Sequence, residues 1–232
     1  LYYGANYESC PIKISYAASF GSNKLTLFET KCVKEYLTDF QAISLREKDC
    51  LTDVARLTGK DAKLVLDPVF LLDVNFWTNF ASRAKYKIKE KYILYYSLKE
   101  DRELIAQTRK LSEQTNCTVL CIHPTCSNLH VGWKQLHTVG PYEFVSLIKN
   151  AESIATNSFH AIAFSIIFEK KTLYKSFSKT DNRVESLLKS LNALNKNGLY
   201  DFSAKDERNI ENYLNESKKF LMNALGNNTE NV

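Results

Sequence analysis

Apolar and polar positions along this chain alternate in the rhythm of strand followed by helix. Ile12 to Phe20 predicts a strand closed by Gly21-Ser22-Asn23, and Val33, Tyr36, Leu37 and Phe40 then recur at helical spacing. Ala42 to Arg46 predicts a second strand. Cys50 to Leu57 predicts a helix ended by Gly59, and Lys63 to Leu66 a third strand stopped by Asp67-Pro68. The stretch Lys85 to Lys91, with lysines at 85, 87, 89 and 91 and few apolar residues, reads as a linker. Beyond it the alternation resumes: a strand at Tyr92 to Tyr96, a helix at Arg102 to Thr115, a strand at Cys117 to Ile122 and an irregular excursion from Pro124 to Thr138. Pro141 to Asn150 predicts a helix with proline at its first turn. A strand at Thr172 to Phe177, a helix at Val184 to Leu191 and a long amphipathic helix at Glu207 to Leu225 complete the pattern.

Strands separated by helices indicate parallel sheets with covering helices. The expected fold is therefore α/β, with two Rossmann-like lobes: residues 1–88 as the remainder of an N-terminal lobe, and residues 89–232 as a C-terminal lobe with its C-terminal helix. The first lobe is expected to be incomplete. The chain opens at Leu1, and Leu1 to Asn6 reads as running on from an earlier element, which suggests a piece of a longer protein.

One segment stands out within this pattern. The apolar run Ser153-Ile154-Ala155 breaks into Thr156-Asn157-Ser158-Phe159, and His160 then opens a longer apolar run, Ala161 to Phe168. That is a strand, a tight turn and a buried helix, with a histidine at the turn. Open α/β sheets bind ligands beyond the carboxyl ends of their strands, where helix N-termini present N–H groups. A histidine there can donate to an anion or exchange a proton near neutral pH, and Thr156, Asn157 and Ser158 add hydroxyl and amide donors. The plainer alternative is a histidine that caps or packs.

Arg46 ends the second strand and is followed by Glu47; an arginine so placed can clamp a carboxylate or phosphate through two hydrogen bonds, though an exposed Arg-Glu pair at a helix start would read the same. Asp67 could take a proton from a sugar hydroxyl, but Asp before Pro is first a turn device. Asn182 fits a helix N-cap, with Arg183 beside it as an anion contact. Tyr95, Tyr96 and Ser97 end the first strand of the second lobe, where an aromatic ring can stack on a sugar or base, or simply pack in the core. The chain has no P-loop, GxGxxG, GxSxG or HExxH.

Composition narrows the classes further. A net charge of +5, with lysines scattered among acids, describes a solvated surface and not a nucleic-acid-binding face, while leaving room for a basic cleft that takes a small anion. The six cysteines, at 10, 32, 50, 117, 121 and 126, form no CxxC pair and read as reduced core thiols. Cys117, Cys121 and Cys126 lie near His123 and His130, but their spacing matches no zinc finger or ribbon, so no metal site is expected. No apolar run is long enough to span a bilayer and no secretory signal is present. The expected location is the cytoplasm, with peripheral attachment to the inner membrane face left open.

Several of these pieces fall in the order found in one family. Ile14 to Gly21, Ile43-Ser44-Leu45-Arg46-Glu47, Val65-Leu66-Asp67-Pro68, Tyr142-Glu143-Phe144 and Thr156-Asn157-Ser158-Phe159-His160 together resemble polysaccharide pyruvyl transferases, and the likeness runs from about Ile12 to Leu191. The resemblance implies a GT-B-like fold of two lobes and transfer of a pyruvyl group from phosphoenolpyruvate, the donor substrate, onto two hydroxyls of a surface-glycan sugar. No further cofactor is implied. The partners implied are phosphoenolpyruvate and a glycan or lipid-linked saccharide acceptor. By the same resemblance His160 is the donor-site acid or phosphate ligand, Arg46 an anion clamp with Arg183 behind it, and Glu47 or Asp67 the base. Asn157, Ser158 and Tyr96 complete the substrate-binding set. Where many relatives carry Arg-Leu-His, this chain carries Ser158-Phe159-His160, and Ala161 replaces a common glycine. Two other readings compete: a GT-B glycosyltransferase using a nucleotide-sugar donor, and a non-catalytic glycan-binding or assembly module.

Overall fold

A computed structural model of the chain describes residues 12–21, 24–85, 88–122, 132–176, 183–191, 194–196, 198–204 and 207–226. They fall into two compact units. The first comprises Leu1–Leu71, Lys179–Ser190 and Glu207–Val232; the second comprises Leu72–Ser178 and Leu191–Asp206.

In the first unit, β1 (Ile14–Ala18), β2 (Ala42–Leu45) and β3 (Ala62–Leu64) form a parallel sheet in that order. Helices α1 (Leu27–Tyr36) and α2 (Leu51–Thr58) link them. Thr26 and Glu29 close a reciprocal capping box on α1, which satisfies backbone donors that a helix start leaves open. Gly59 ends α2 at φ +70°, a left-handed conformation that glycine adopts without steric cost. Val33, Ile43, Leu45, Cys50 and Val54 make the core between helices and sheet. A single 3₁₀ turn, Pro68–Leu71, follows β3.

The second unit begins with α3 (Val74–Ser82), capped by Asp73, whose carboxylate accepts from Phe76 N–H at 2.8 Å. It continues through β4 (Tyr92–Tyr96), α4 (Arg102–Thr115), β5 (Thr118–Ile122), β6 (Lys134–Gln135), α5 (Pro141–Asn150), β7 (Ser153–Thr156), α6 (Phe159–Ile167) and β8 (Lys171–Tyr174). Among the described residues the sheet order is β6-β5-β4-β7-β8, parallel throughout. An antiparallel hairpin, β9 (Leu194–Lys196) and β10 (Leu199–Asp201), extends it beyond β8. Helices α7 (Arg183–Ser190) and α8 (Glu207–Ala224) return to the first unit. No helix among the described residues is long and apolar enough to cross a membrane.

The division of the chain differs from a single cut after residue 88. Helix α3, which the alternation of strand and helix does not announce, packs on α5, where Phe80 meets Tyr142 at 4.5 Å, and its Trp77 meets Phe164 of α6 edge-on at 4.8 Å. The lysine stretch read as a linker follows it inside the second unit, where Lys85 N–H donates to Glu143 at 3.1 Å. The C-terminal helix belongs to the first unit, because Ser217 of α8 accepts from Leu66 N–H at 2.9 Å and Phe220 packs on Tyr16. Cys32 and Cys50 are buried in the first unit, and Cys117 and Cys121 in the second, all as free thiols. Cys10, Cys126, His123, His130 and Asn182 lie outside the described residues.

Candidate active site

The carboxyl ends of β1, β2 and β3 bring together Ser19, Arg46, Glu47 and Asp67. The arrangement begins with a fault in β1. Ala17 sits at φ +52°, a left-handed conformation costly for a residue with a Cβ, and the β1–β2 register shifts between Ser15 and Ala18. Ser44 of β2 holds this bulge: its hydroxyl donates to Ser15 C=O at 3.0 Å and accepts from Ala17 N–H at 3.0 Å. The chain that leaves the bulge places Phe20 N–H on Glu47 Oε1 at 2.6 Å.

After β3, Leu66 is held on both sides, its N–H by Ser217 and its C=O by the Tyr16 hydroxyl at 3.1 Å. That fixes the adjacent Asp67. One oxygen of Asp67 accepts from Val69 N–H at 3.2 Å and the other from Arg46 Nη1. The Asp67 side chain is 2% exposed and that of Arg46 18%, so a buried carboxylate orients a guanidinium that still reaches solvent. Asp67, expected as a base, is thus a turn cap and a holder of Arg46. Glu47, the other expected base, is 2% exposed, too enclosed for a substrate to meet it directly in this structure. Its contacts tie the end of β1 to the end of β2.

Burial dominates the chemistry of Glu47 and raises its pKa above the ordinary glutamate value of 4.5; Phe20 N–H, Ser19, Arg46 and Arg183 pull the other way. Its Oε2 has no hydrogen-bond partner among the described residues. A carboxyl that binds its proton more tightly folded than unfolded makes the protein lose stability as pH rises from about 4.5 through the raised folded value. Glu47→Gln is expected to remove that declining limb, which denaturant unfolding at a series of pH values would reveal. An unchanged pH dependence in the variant would assign the limb elsewhere.

In the second unit the turn between β7 and α6 is built from buried polar groups. Thr156 Oγ1 donates to Tyr96 C=O at 2.6 Å and accepts from Ser158 N–H at 3.0 Å. Asn157 Oδ1 accepts from Leu98 N–H at 2.8 Å, and its Nδ2 donates to Ser97 Oγ at 2.9 Å and Lys99 C=O at 2.7 Å. Both amide protons and the amide oxygen are therefore engaged within the protein, so Asn157, expected to bind substrate, latches the loop after β4 to the turn. Removing it strands buried donors and acceptors, at ~1–3 kcal/mol for an unsatisfied group. Asn157→Ala should lower unfolding free energy by about that amount in a urea titration, and Asn157→Asp should fail to restore it, because a carboxylate cannot donate to Lys99 C=O.

Ser158 is buried and caps α6 without a side-chain bond to the helix. His160 follows in the first turn of α6 and is exposed, while its neighbours Phe159 and Ala161 through Ile166 are buried. A helix buried nearly all round that turns one imidazole outward, at the carboxyl end of a central strand, presents a chemical group where α/β sheets bind ligands.

A family model of polysaccharide pyruvyl transferases matches residues 1–177. The chain belongs to the polysaccharide pyruvyl transferase family. The match takes in Ser19, Arg46, Glu47 and Asp67 as well as the turn from Thr156 to His160, and Arg183 lies beyond it. The family is one of transferases. Among solved structures, UDP-GlcNAc 2-epimerase from Neisseria meningitidis bound to UDP-GlcNAc is similar with a TM-score of 0.58 at 11% identity, over 95% of this chain and 71% of that one. UDP-GlcNAc 2-epimerase from Methanocaldococcus jannaschii is similar with a TM-score of 0.51 at 15% identity, over 90% and 70%. At such identities the likeness is one of fold, and it bears out the GT-B-like α/β expectation. No curated protein matches the chain.

Within this pyruvyl transferase-family chain, three site residues escape a reading of the sequence: Ser19, Ser44 and Ser217. Each acts through one hydroxyl on a main-chain or side-chain group distant in sequence, and serine carries no signal of such use. Arg183 opens α7, and its Nη1 donates to Ser19 Oγ at 3.4 Å. Tyr96 is half-buried and packs edge-on against Phe144 of α5 at 4.9 Å, as part of the sheet-to-helix contact. Tyr95 is buried against Trp133, and burial pushes its phenol up to about 12. Cys117 and Cys121 lie within the apolar core on β5.

Proposed function

We propose that this protein transfers the pyruvyl group of phosphoenolpyruvate onto two hydroxyls of a sugar in a surface glycan or its lipid-linked precursor, forming a cyclic ketal and releasing phosphate. Membership of the family supports the reaction class, and the observation that carries the residue assignment is the outward His160 on an otherwise buried α6. The donor's methylene carbon gains a proton, which leaves an oxocarbenium-like centre at the adjacent carbon. One sugar hydroxyl attacks that centre and gives up its proton; the C–O bond to phosphate then breaks and regenerates an oxocarbenium-like centre, on which the second hydroxyl closes the ring with loss of its own proton. Of the two hydroxyl protons, one replaces the proton given to the methylene carbon and the other leaves with the phosphate. His160, in the second unit, is the acid that delivers the first proton. Arg46, in the first unit and oriented by Asp67, is by itself an anion-binding group. Glu47 and Asp67 act by holding the site's framework. We place the reaction in the cytoplasm, at the inner membrane face where a lipid-linked acceptor would be presented.

The test is phosphate release from phosphoenolpyruvate by the full chain with candidate glycans. Release that requires a glycan acceptor and yields a product heavier by one pyruvyl ketal supports the assignment. Absence of release across acceptors and pH, together with thermal stabilisation by a nucleoside diphosphate, would move it to a nucleotide-sugar donor.

A further inference from the structure

Within the first unit, a cavity of about 590 Å³ opens where β2 begins, at the other end of that strand from Arg46. One side is formed by Gln41 and Ala42 with Lys63 and Leu64 of β3, the other by the C-terminal half of α8. The helix is pinned to the sheet by Ser217 on Leu66 N–H and by Phe220 on Tyr16, and beyond those contacts it lines the cavity with Asn223 and Ala224. Ala42 and Arg46 stand about 13 Å apart along the strand, at ~3.3 Å per residue. A molecule seated in the cavity is therefore removed from the Arg46 site. We propose that this groove is an accessory saccharide subsite, which holds an uncharged stretch of the glycan away from the sugar that reacts.

The cavity's volume lies within the range of small-molecule sites, ~300–1,000 Å³. Its charged lining is balanced: Asp61 and Glu216 stand against Lys63 and Lys219, and Asp61 and Lys63 are already ion-paired. An anion would meet two carboxylates and a cation two ammonium groups, so electrostatic complementarity favours a neutral occupant. A wholly apolar occupant would desolvate this polar lining without replacing its hydrogen bonds to water. Sugar hydroxyls both donate and accept. The amides of Gln41 and Asn223 do the same, while the carboxylates accept and the ammonium groups donate. Phe220 and Leu64 supply apolar surface for the C–H face of a pyranose ring. That the saccharide is the acceptor's own chain rests on the transfer reaction proposed above; the binding of a neutral saccharide does not.

The probe is an array of neutral hexose and N-acetylhexosamine oligosaccharides, with anionic glycans as controls; affinity of the full chain for the best neutral binder is then measured by titration calorimetry. Asn223→Ala should weaken that binding by about three- to tenfold, as expected for loss of one net hydrogen bond. Phe220→Ala should weaken it further. Phe220 also packs on Tyr16, so Asn223→Ala combined with Glu216→Ala, both at exposed positions, decides where Phe220→Ala fails to fold. With the same oligosaccharide as acceptor, the variants should raise its KM and leave kcat within about twofold, the pattern of lost uniform binding. No binding across the array overturns the subsite, as does binding to the anionic glycans alone or wild-type affinity in the double variant. Weakened binding with an unchanged KM overturns its role in holding the acceptor. Weakened binding in the variants, with no phosphate release from phosphoenolpyruvate by the wild type, sustains the subsite and sinks the transfer reading instead.

Discussion

His160→Ala should lower the rate of acceptor-dependent phosphate release from phosphoenolpyruvate by about 10²–10⁴-fold, the range that a positioned proton donor contributes. It should leave the fold untouched, because the imidazole is exposed and surface substitutions away from special features fall within about 0.5 kcal/mol. The two halves of this expectation are informative together. A core histidine would destabilise the protein when removed; a solvated bystander would change neither quantity. The steady-state kcat/KM and the midpoint of a urea titration, measured on the same preparations, separate the three cases. His160→Gln keeps hydrogen-bonding capacity but cannot donate a proton at neutral pH. If His160 only binds donor oxygen atoms, Gln should retain much of the activity and raise KM; if it is the acid, kcat should fall as far as in Ala. Activity within about threefold of wild type in both variants would remove His160 from the mechanism.

Asp67→Ala should have the largest effect on stability, about 2–3 kcal/mol. Breaking a buried ion pair from one side costs ~3–5 kcal/mol, since the partner stays behind with its charge. The lower figure applies here because the Arg46 side chain is partly solvated and can recover some hydration. The variant also loses the hydrogen bond from Val69 N–H that closes the turn at Pro68. Asp67→Asn should restore the turn but not the ion pair, and so fall between wild type and Ala in unfolding free energy. Activity is the second readout. An arginine whose orienting carboxylate is gone keeps its charge and loses its direction, so KM for phosphoenolpyruvate should rise in both variants. Equal stability of Asp67→Ala and wild type would show that the pair contributes nothing net.

The parts of this architecture that were legible in the sequence are those written in short-range patterns. Pro141 at a first turn, the apolar positions of Arg102 to Thr115 and the run Tyr92 to Tyr96 each predict the element that forms, to within a residue or two. Helix α3 was not legible because its aromatic residues, Phe76, Trp77 and Phe80, follow a proline turn where a strand–helix alternation expects a connection. The hairpin of β9 and β10 is too short for periodicity to register. The return of α7 and α8 to the first unit is a tertiary fact, decided by contacts such as Ser217 with Leu66 N–H that no local window contains. At the site, position was more legible than role. Arg46, Glu47, Asp67 and His160 do stand at strand ends. The sequence does not say which carboxylates are enclosed, and enclosure is what makes Glu47 and Asp67 holders of other groups.

The buried cysteines have a practical consequence. Thiol reagents attack the thiolate, and in the native protein Cys50 is both enclosed and held protonated, with burial and the carboxylates of Glu47, Asp49 and Asp53 pushing its thiol up to about 11. Modification at such a site waits for the surrounding structure to open, so its rate is a clock for local unfolding. Cys32 and Cys50 keep time for one unit, Cys117 and Cys121 for the other. Mass spectrometry of peptides after timed alkylation would thus read the cohesion of each unit separately, in the unmodified sequence and without an added probe.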